Sequence, residues 1–250
     1  MFDIPYVGSA KQLPRGWHRA TEALLDKYLS CQQYGLADTH APQLLLPAQP
    51  LDRNQESPPA VKEAMKLLAG FVQPTHPHVG LGMAYPQLEA AALTGVWAVF
   101  AAMTDLTGLT ADHLRPGRLF INPRIEPIES AGKSVGVEPC FSCWVGSLVA
   151  EVERWNAVVL VSDNHDPIRL EGPAAIPAQH EYGHLQGKLC VNVAFETGRR
   201  VFYVPPELHG TFFALNRQGR RHEYPHDFPY DQWEASLSGD FTLRSHLPLM

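Results

Sequence analysis

The feature that most constrains this chain is His180-Glu181-Tyr182-Gly183-His184, an HExxH pattern. On a helix, residues four apart point to the same side, so both imidazoles can bind one metal ion. The glutamate beside the first histidine then faces the ion's open position and can take a proton from water there. Residues 174 to 187 have a helix-compatible composition, with Pro177 confined to the first turn or earlier. A catalytic zinc or iron site needs three protein ligands and one open position. Downstream, Glu196, Glu207 and His209 are candidates for the third, but none has a supporting signature.

The rest of the chain reads as an ordinary globular body. With 250 residues, 45% of them hydrophobic, it can bury a core. A net charge of -6 and paired rather than striped arginines leave no footprint for a phosphate backbone, so nucleic acid is not an expected partner. The longest apolar stretch, residues 90 to 103, is too short to span a bilayer, and no membrane association is expected. No basic segment leads into an apolar run near Met1, which points to a cytoplasmic protein. Cys31, Cys140, Cys143 and Cys190 are too few for a disulfide scaffold, and a reducing compartment leaves them as thiols that can ligate metal.

Along the chain, Ala20, Leu24, Leu25 and Leu29 predict a helix over Trp17 to Leu29. A Pro-rich linker, Pro42 to Pro59, follows. Pro58-Pro59 then opens a second helix, Ala60 to Phe71, with Val61, Ala64, Leu67 and Leu68 on one face. Strands are predicted at Val96 to Phe100, Arg118 to Ile121, Val145 to Val152 and Ala157 to Val161, with a short one near Ile168 to Leu170 after the turn Asp163 to Asp166. The last fifty residues carry five prolines and little periodicity, so no regular structure is assigned to most of them.

Three further segments change the picture. Gly80-Leu81-Gly82-Met83-Ala84-Tyr85-Pro86-Gln87 resembles the first motif of peptide deformylases, G-x-G-x-A-A-x-Q. Glu138-Pro139-Cys140-Phe141-Ser142 resembles their E-G-C-x-S, and His180 to Gly187 resembles their H-E-x-D-H-x-x-G. Leu119 to Pro123 and Glu151 to Asp166 extend the likeness between the motifs, so that it covers roughly residues 58 to 196.

The resemblance implies an α+β fold, with antiparallel sheets packed around a central helix that bears the histidines. It divides the chain into an N-terminal extension over 1–57, a metal-dependent catalytic domain over 58–204 and a C-terminal extension over 205–250. It makes Cys140 the third metal ligand beside His180 and His184, and Glu181 the general base. It favours ferrous iron, although a thiolate and two imidazoles would also accept zinc, nickel or cobalt. It places the Gln87 amide and the Phe141 backbone N–H at the oxyanion, and Glu138 and Arg154 as an ion pair supporting the metal loop. Gly80, Leu81, Gly82 and Tyr85 become substrate-binding candidates. Cys143 and Cys190 read as buried core thiols, and His76 and His78 as loop histidines.

The implied activity is hydrolysis of a linear amide, releasing formate from an N-formylated peptide. Tyr85, Pro139 and Gly183 depart from the family's alanine, glycine and aspartate, and Pro177 lies where the helix faces the substrate's first side chain. These departures spare the ligands but reshape the pocket. They leave open an amidohydrolase acting on a small N-formyl or N-acyl metabolite. A noncatalytic metal-binding interaction protein, with the aromatic residues of the tail as anchors, is the remaining alternative.

Overall fold

The computed structural model describes residues 41–52, 54, 59–71, 81–89, 91–92, 97–102, 118–143 and 148–203. The expected helix at Trp17 to Leu29 lies outside the described residues, as do Cys31, His76, His78, Gly80, Glu207, His209 and the whole of 205–250.

Helix α1, Pro59–Phe71, forms where the apolar stripe predicts it. Its opening proline lacks only an N–H that the first turn leaves unpaired anyway. Val61, Ala64 and Leu68 are buried, while Lys62, Glu63 and Lys66 stay exposed. The Pro-rich stretch before it is no loose spacer. Leu44 and Leu51 share the core cluster that contains Ala64 and Leu68. The Ala48 N–H donates to the Leu185 carbonyl at 2.8 Å, and Gln49 bridges Trp97.

Three antiparallel sheets of three strands each are built from the described residues. The first contains β1 (Gly82–Ala84), β2 (Val99–Ala102) and β3 (Arg118–Ile121), in that order. The second runs β4 (Arg124–Pro127), β7 (Ala157–Val161), β8 (Ile168–Glu171). The third runs β5 (Lys133–Pro139), β6 (Leu148–Trp155), β9 (Val201–Tyr203).

Two predicted strands move. The Ala98 N–H bonds to the Gln49 carbonyl at 2.8 Å, so residues 97 and 98 serve the N-terminal stretch and the ladder of β2 begins only at Val99. Strand β6 runs on past Val152 to Trp155 because β5 pairs with it as far as Lys133↔Trp155. Strands β1, β4, β5 and β9 carry too little alternation to be predicted. Long-range pairing supplies what local propensity lacks.

Asn122, with φ of 49°, turns the chain from β3 into β4. It adopts the left-handed region more readily than most residues, and its amide ties three segments together. It accepts the Leu51 N–H at 2.7 Å and donates to the Leu51 carbonyl at 2.9 Å and to Asp163 Oδ2 at 2.7 Å. The turn at Asp163 to Asp166 joins β7 to β8 as expected, and its Asn164 side chain pairs with β3 backbone at Ile121 and Leu119.

Helix α2, Ala175–Leu185, touches strands of all three sheets. Its buried residues, Ala175, Pro177, Ala178, Gln179, Glu181, His184 and Leu185, leave it no broad polar face, as suits a helix at the centre of a fold. Pro177 sits in its first turn. The helix ends in a Schellman motif: Lys188 N–H bonds to the Gly183 carbonyl at 2.9 Å and Gly187 N–H to that of His184 at 3.1 Å. Gly187 adopts φ of 71°, and a side chain there would come within 2.9 Å of Leu45 and Leu46 backbone. Helix α3, Cys190–Glu196, follows and packs on β6. The architecture is the α+β arrangement expected, with antiparallel sheets around a central helix. No helix among the described residues is long and apolar enough to cross a membrane.

Candidate active site

Cys140, His180 and His184 offer ligand atoms that all lie within 4.8 Å of one another. Helix α2 supplies both histidines from one face, and Cys140 stands just beyond the end of β5. Pro139 fits that strand end because, among the described residues, β5 pairs on one side only, with β6, so a missing N–H is tolerated. Cys143 N–H bonds back to the Cys140 carbonyl at 2.9 Å and closes the ligand turn. Cys140 Sγ lies 3.2 Å from His184 Nε2.

Among the described residues, Cys140 is the residue that joins His180 and His184 in a group able to hold a metal ion. Glu196 is exposed and paired with Lys188 at 2.8 Å, away from the cluster. The three cysteines of the core also separate. Burial opposes ionisation of Cys140, yet hydrogen bonds from Cys143 and Cys190 and the charge of His184 hold its thiol well below the ordinary range. Burial raises Cys143, and so does its hydrogen bond to Cys140. The hydrogen bond to Cys140 and burial raise Cys190. The shifts run in opposite directions, favouring the thiolate at Cys140 and the thiol at Cys143 and Cys190.

Glu138 braces the first histidine. Its Oε2 accepts His180 Nδ1 at 2.8 Å, leaving Nε2 to face the cluster. Arg154 grips the same carboxylate with Nε at 2.8 Å and a second nitrogen at 2.7 Å. Register explains the pair: Glu138 lies opposite Ala150, and Arg154 four residues further along β6 projects from the same face. Burial alone would raise the Glu138 carboxyl, but Arg154 and His180 hold it down to about 2.

Glu181 occupies the opposite condition. Burial, with the charges of Cys140 and Glu138, lifts its carboxyl to about 7 against the pull of His180 and His184. Its Oε2 is buried and has no partner among the described residues. Gly82 makes its place: a side chain there would stand 2.6 Å from Glu181 Cγ and 2.8 Å from Oε1. The demand for glycine at 82 therefore comes from Glu181.

Gln87 comes in on the 3-10 turn Tyr85–Gln87. Its Oε1 accepts the Ala84 N–H at 2.8 Å, which aims Nε2 at Ser142 Oγ (3.2 Å) and Cys140 Sγ (3.8 Å). Phe141 is half-buried within the ligand turn, and Leu81, a few residues before Gln87 in sequence, is 46% exposed. Tyr85 is fully buried in the core cluster that also holds Cys140 and Leu148. Its ring fills the wall behind the site rather than an open channel. Two residues assigned no role by sequence now have one: Ser142 receives Gln87, and Gln179 binds β6. Ser142 stood inside a recognised motif, whereas Gln179 carried no signal beyond its place before His180.

A buried cysteine with two imidazoles, one of them oriented by a carboxylate, is a donor set that fits a divalent transition metal. A sequence profile of the polypeptide deformylase family matches residues 34–200. The chain belongs to that family, which is a family of hydrolases. A comparison with curated protein sequences finds no match. Among solved structures, the K2U-bound class I type b peptide deformylase from Acinetobacter baumannii is 21% identical, covering 64% of this chain and 97% of that one with a TM-score of 0.49. The Met-Ala-Ser-bound structure of the same enzyme is 20% identical over 63% and 96%, with a TM-score of 0.47. The peptide deformylase from Thermotoga maritima is 23% identical over 63% and 95%, with a TM-score of 0.46.

Proposed function

We propose that this chain is a metal-dependent hydrolase that removes the formyl group from the N-terminus of a peptide in the cytoplasm. The observation that carries the proposal is Glu181, whose buried Oε2 lacks a partner among the described residues and lies beside the Cys140, His180 and His184 donors. A noncatalytic metal site has no use for such a carboxylate. Ferrous iron is the ion proposed, with zinc, nickel or cobalt as competent substitutes. When bound, the metal polarises water and the formyl carbonyl.

The side chains supply the rest. Glu181 takes the proton of the attacking water and passes it to the leaving amine, a role suited to a carboxyl near neutrality. The Gln87 amide and the Phe141 N–H donate to the oxygen that gains charge as the carbonyl carbon becomes tetrahedral. Leu81 and Gly82 border the path of the peptide, and the sequence motif extends this role to Gly80. Residues 58–204 contain all of these groups and form the proposed catalytic unit, flanked by 1–57 and 205–250.

The test is anaerobic purification with metal analysis, then formate release from formyl-Met-Ala-Ser compared with other N-formyl and N-acyl compounds. Glu181→Ala is expected to lower kcat by roughly two to four decades with metal content retained. Turnover confined to small N-acyl compounds would transfer the proposal to a metabolite substrate. An unchanged rate in Glu181→Ala would remove the general base and the mechanism with it.

A further inference from the structure

Gln179 directly precedes the first histidine and is 7% exposed. Its Nε2 donates to the Trp155 carbonyl and to the Ala175 carbonyl, each at 3.0 Å, and its Oε1 accepts the Trp155 N–H at 3.0 Å. An amide that pairs in both directions with one backbone residue acts as an added rung of the sheet. Strand β6 has room for that rung, because β9 covers it only from Leu148 to Ala150 while β5 occupies the other edge as far as Trp155.

The rung lies next to the brace of the metal ligand on both β6 and α2. Trp155 follows Arg154, Arg154 holds Glu138, Glu138 holds His180, and His180 follows Gln179. Covalent neighbours at 154 and 155 and at 179 and 180 thus close a ring of hydrogen bonds between β6, β5 and α2. Apolar contacts let a helix slide by fractions of an ångström, whereas a two-way amide pair with fixed geometry does not.

We propose that Gln179 is a positioning residue for the metal centre, locking α2 to β6 so that His180 meets Glu138 with its other nitrogen aimed at the ion. The proposal rests on the metal-dependent reading of the site but not on a formyl substrate. A merely structural glutamine would lower stability with and without metal alike and leave the metal's environment unchanged.

The experiment uses the full chain loaded with Co2+, following its visible absorption and its release to a chelator. Gln179→Leu is expected to release the ion about tenfold faster and to shift the absorption bands, as loss of contacts behind a ligand does. Arg154→Lys, which loses the two-pronged grip on Glu138, is expected to act likewise. The double variant should release little faster than the worse single one, since both break the same ring. If Gln179→Leu does not fold, Gln179→Glu, which keeps the acceptor for Trp155 but loses both donated bonds, stands in for it and is expected to release Co2+ severalfold faster. Unaltered bands and release in the variant that folds, or fully additive effects, would overturn the proposal. Wild-type chain that takes up no Co2+ overturns both this proposal and the metal site. Wild type that binds Co2+ and shows the ring effects but frees no formate overturns the proposed reaction alone.

Discussion

The two sides of the metal pocket are built on opposite terms. On the side of β5 and β6 each polar group is answered: Arg154 by Glu138, Glu138 by His180, Gln179 by Trp155. On the side of β1 the buried Glu181 Oε2 and His184 Nδ1 have no partner among the described residues, and Gly82 withholds even a methyl group. Leaving a buried polar atom unpaired costs about 1–3 kcal/mol. That cost falls on the side where the proposed reaction places its base, while the saturated side holds His180 through Glu138.

The difference can be broken from either side. Glu138→Ala should do the most damage, since it frees His180 and strands the Arg154 cation with only 12% of its side chain exposed. Removing one partner of a buried pair costs about 3–5 kcal/mol, and metal affinity should fall by roughly 10–100-fold. Denaturant unfolding and chelator competition measure the two losses.

Acid attacks the same side. The Glu138 carboxyl sits at about 2 rather than 4.5, so its contribution to stability is complete above pH 4.5 and lost as pH falls towards 2. The gap of roughly 2.5 units is worth about 3 kcal/mol. In urea titrations of metal-free protein, the lead of wild type over Glu138→Gln should shrink by that amount across this window. A lead that stays constant would mean that the carboxylate is not held by Arg154 and His180.

Gly82→Ala attacks the open side instead. The added methyl displaces Glu181, so kcat should fall by roughly two decades, within the range that general-base catalysis supplies. Metal content and stability should change little, which separates this variant from Glu138→Ala. Steady-state kinetics beside metal analysis decides it.

Gly183 offers the smallest effect and lies between the two sides. It occupies a helical position without positive φ, and a methyl there would meet only the Lys188 carbonyl at 3.4 Å. Gly183→Ala should raise stability by up to about 1 kcal/mol in thermal unfolding. A loss instead would show that the helix end needs the closer approach that glycine allows.

The departures from the family pattern meet the same division. Pro139 closes an edge strand, Pro177 sits in a first helical turn, Gly183 lies within the Schellman motif and Tyr85 is buried in a core cluster. Each is accommodated by local backbone or core packing, and none replaces a member of the ligand set.

Much of the site was legible in the sequence because its chemistry is local. HExxH needs only the helical repeat, and the motifs around Gln87 and Cys140 carry their own residue types. Helix α1 and the strands at Arg118–Ile121 and Ala157–Val161 were legible for the same reason, since their periodicity is written in a few adjacent residues. The seven residues of β5 were not. Lys133-Ser134-Val135-Gly136-Val137-Glu138-Pro139 becomes a strand only by pairing with β6. The stretch from Pro42 reads as linker, and only the bonds from Ala48 to Leu185 and from Gln49 to Ala98 draw it into the body.

What the sequence by itself determined is the list of candidate groups, because the ligand, base and oxyanion roles proposed for them depend on the atoms each residue type carries. Only the tertiary structure decided their standing: that Gly82 exists for Glu181, that Tyr85 is wall rather than channel, and that Gln179 faces Trp155. Those facts depend on distances between segments far apart in the chain. Pairing and packing set such distances, and no local pattern encodes them.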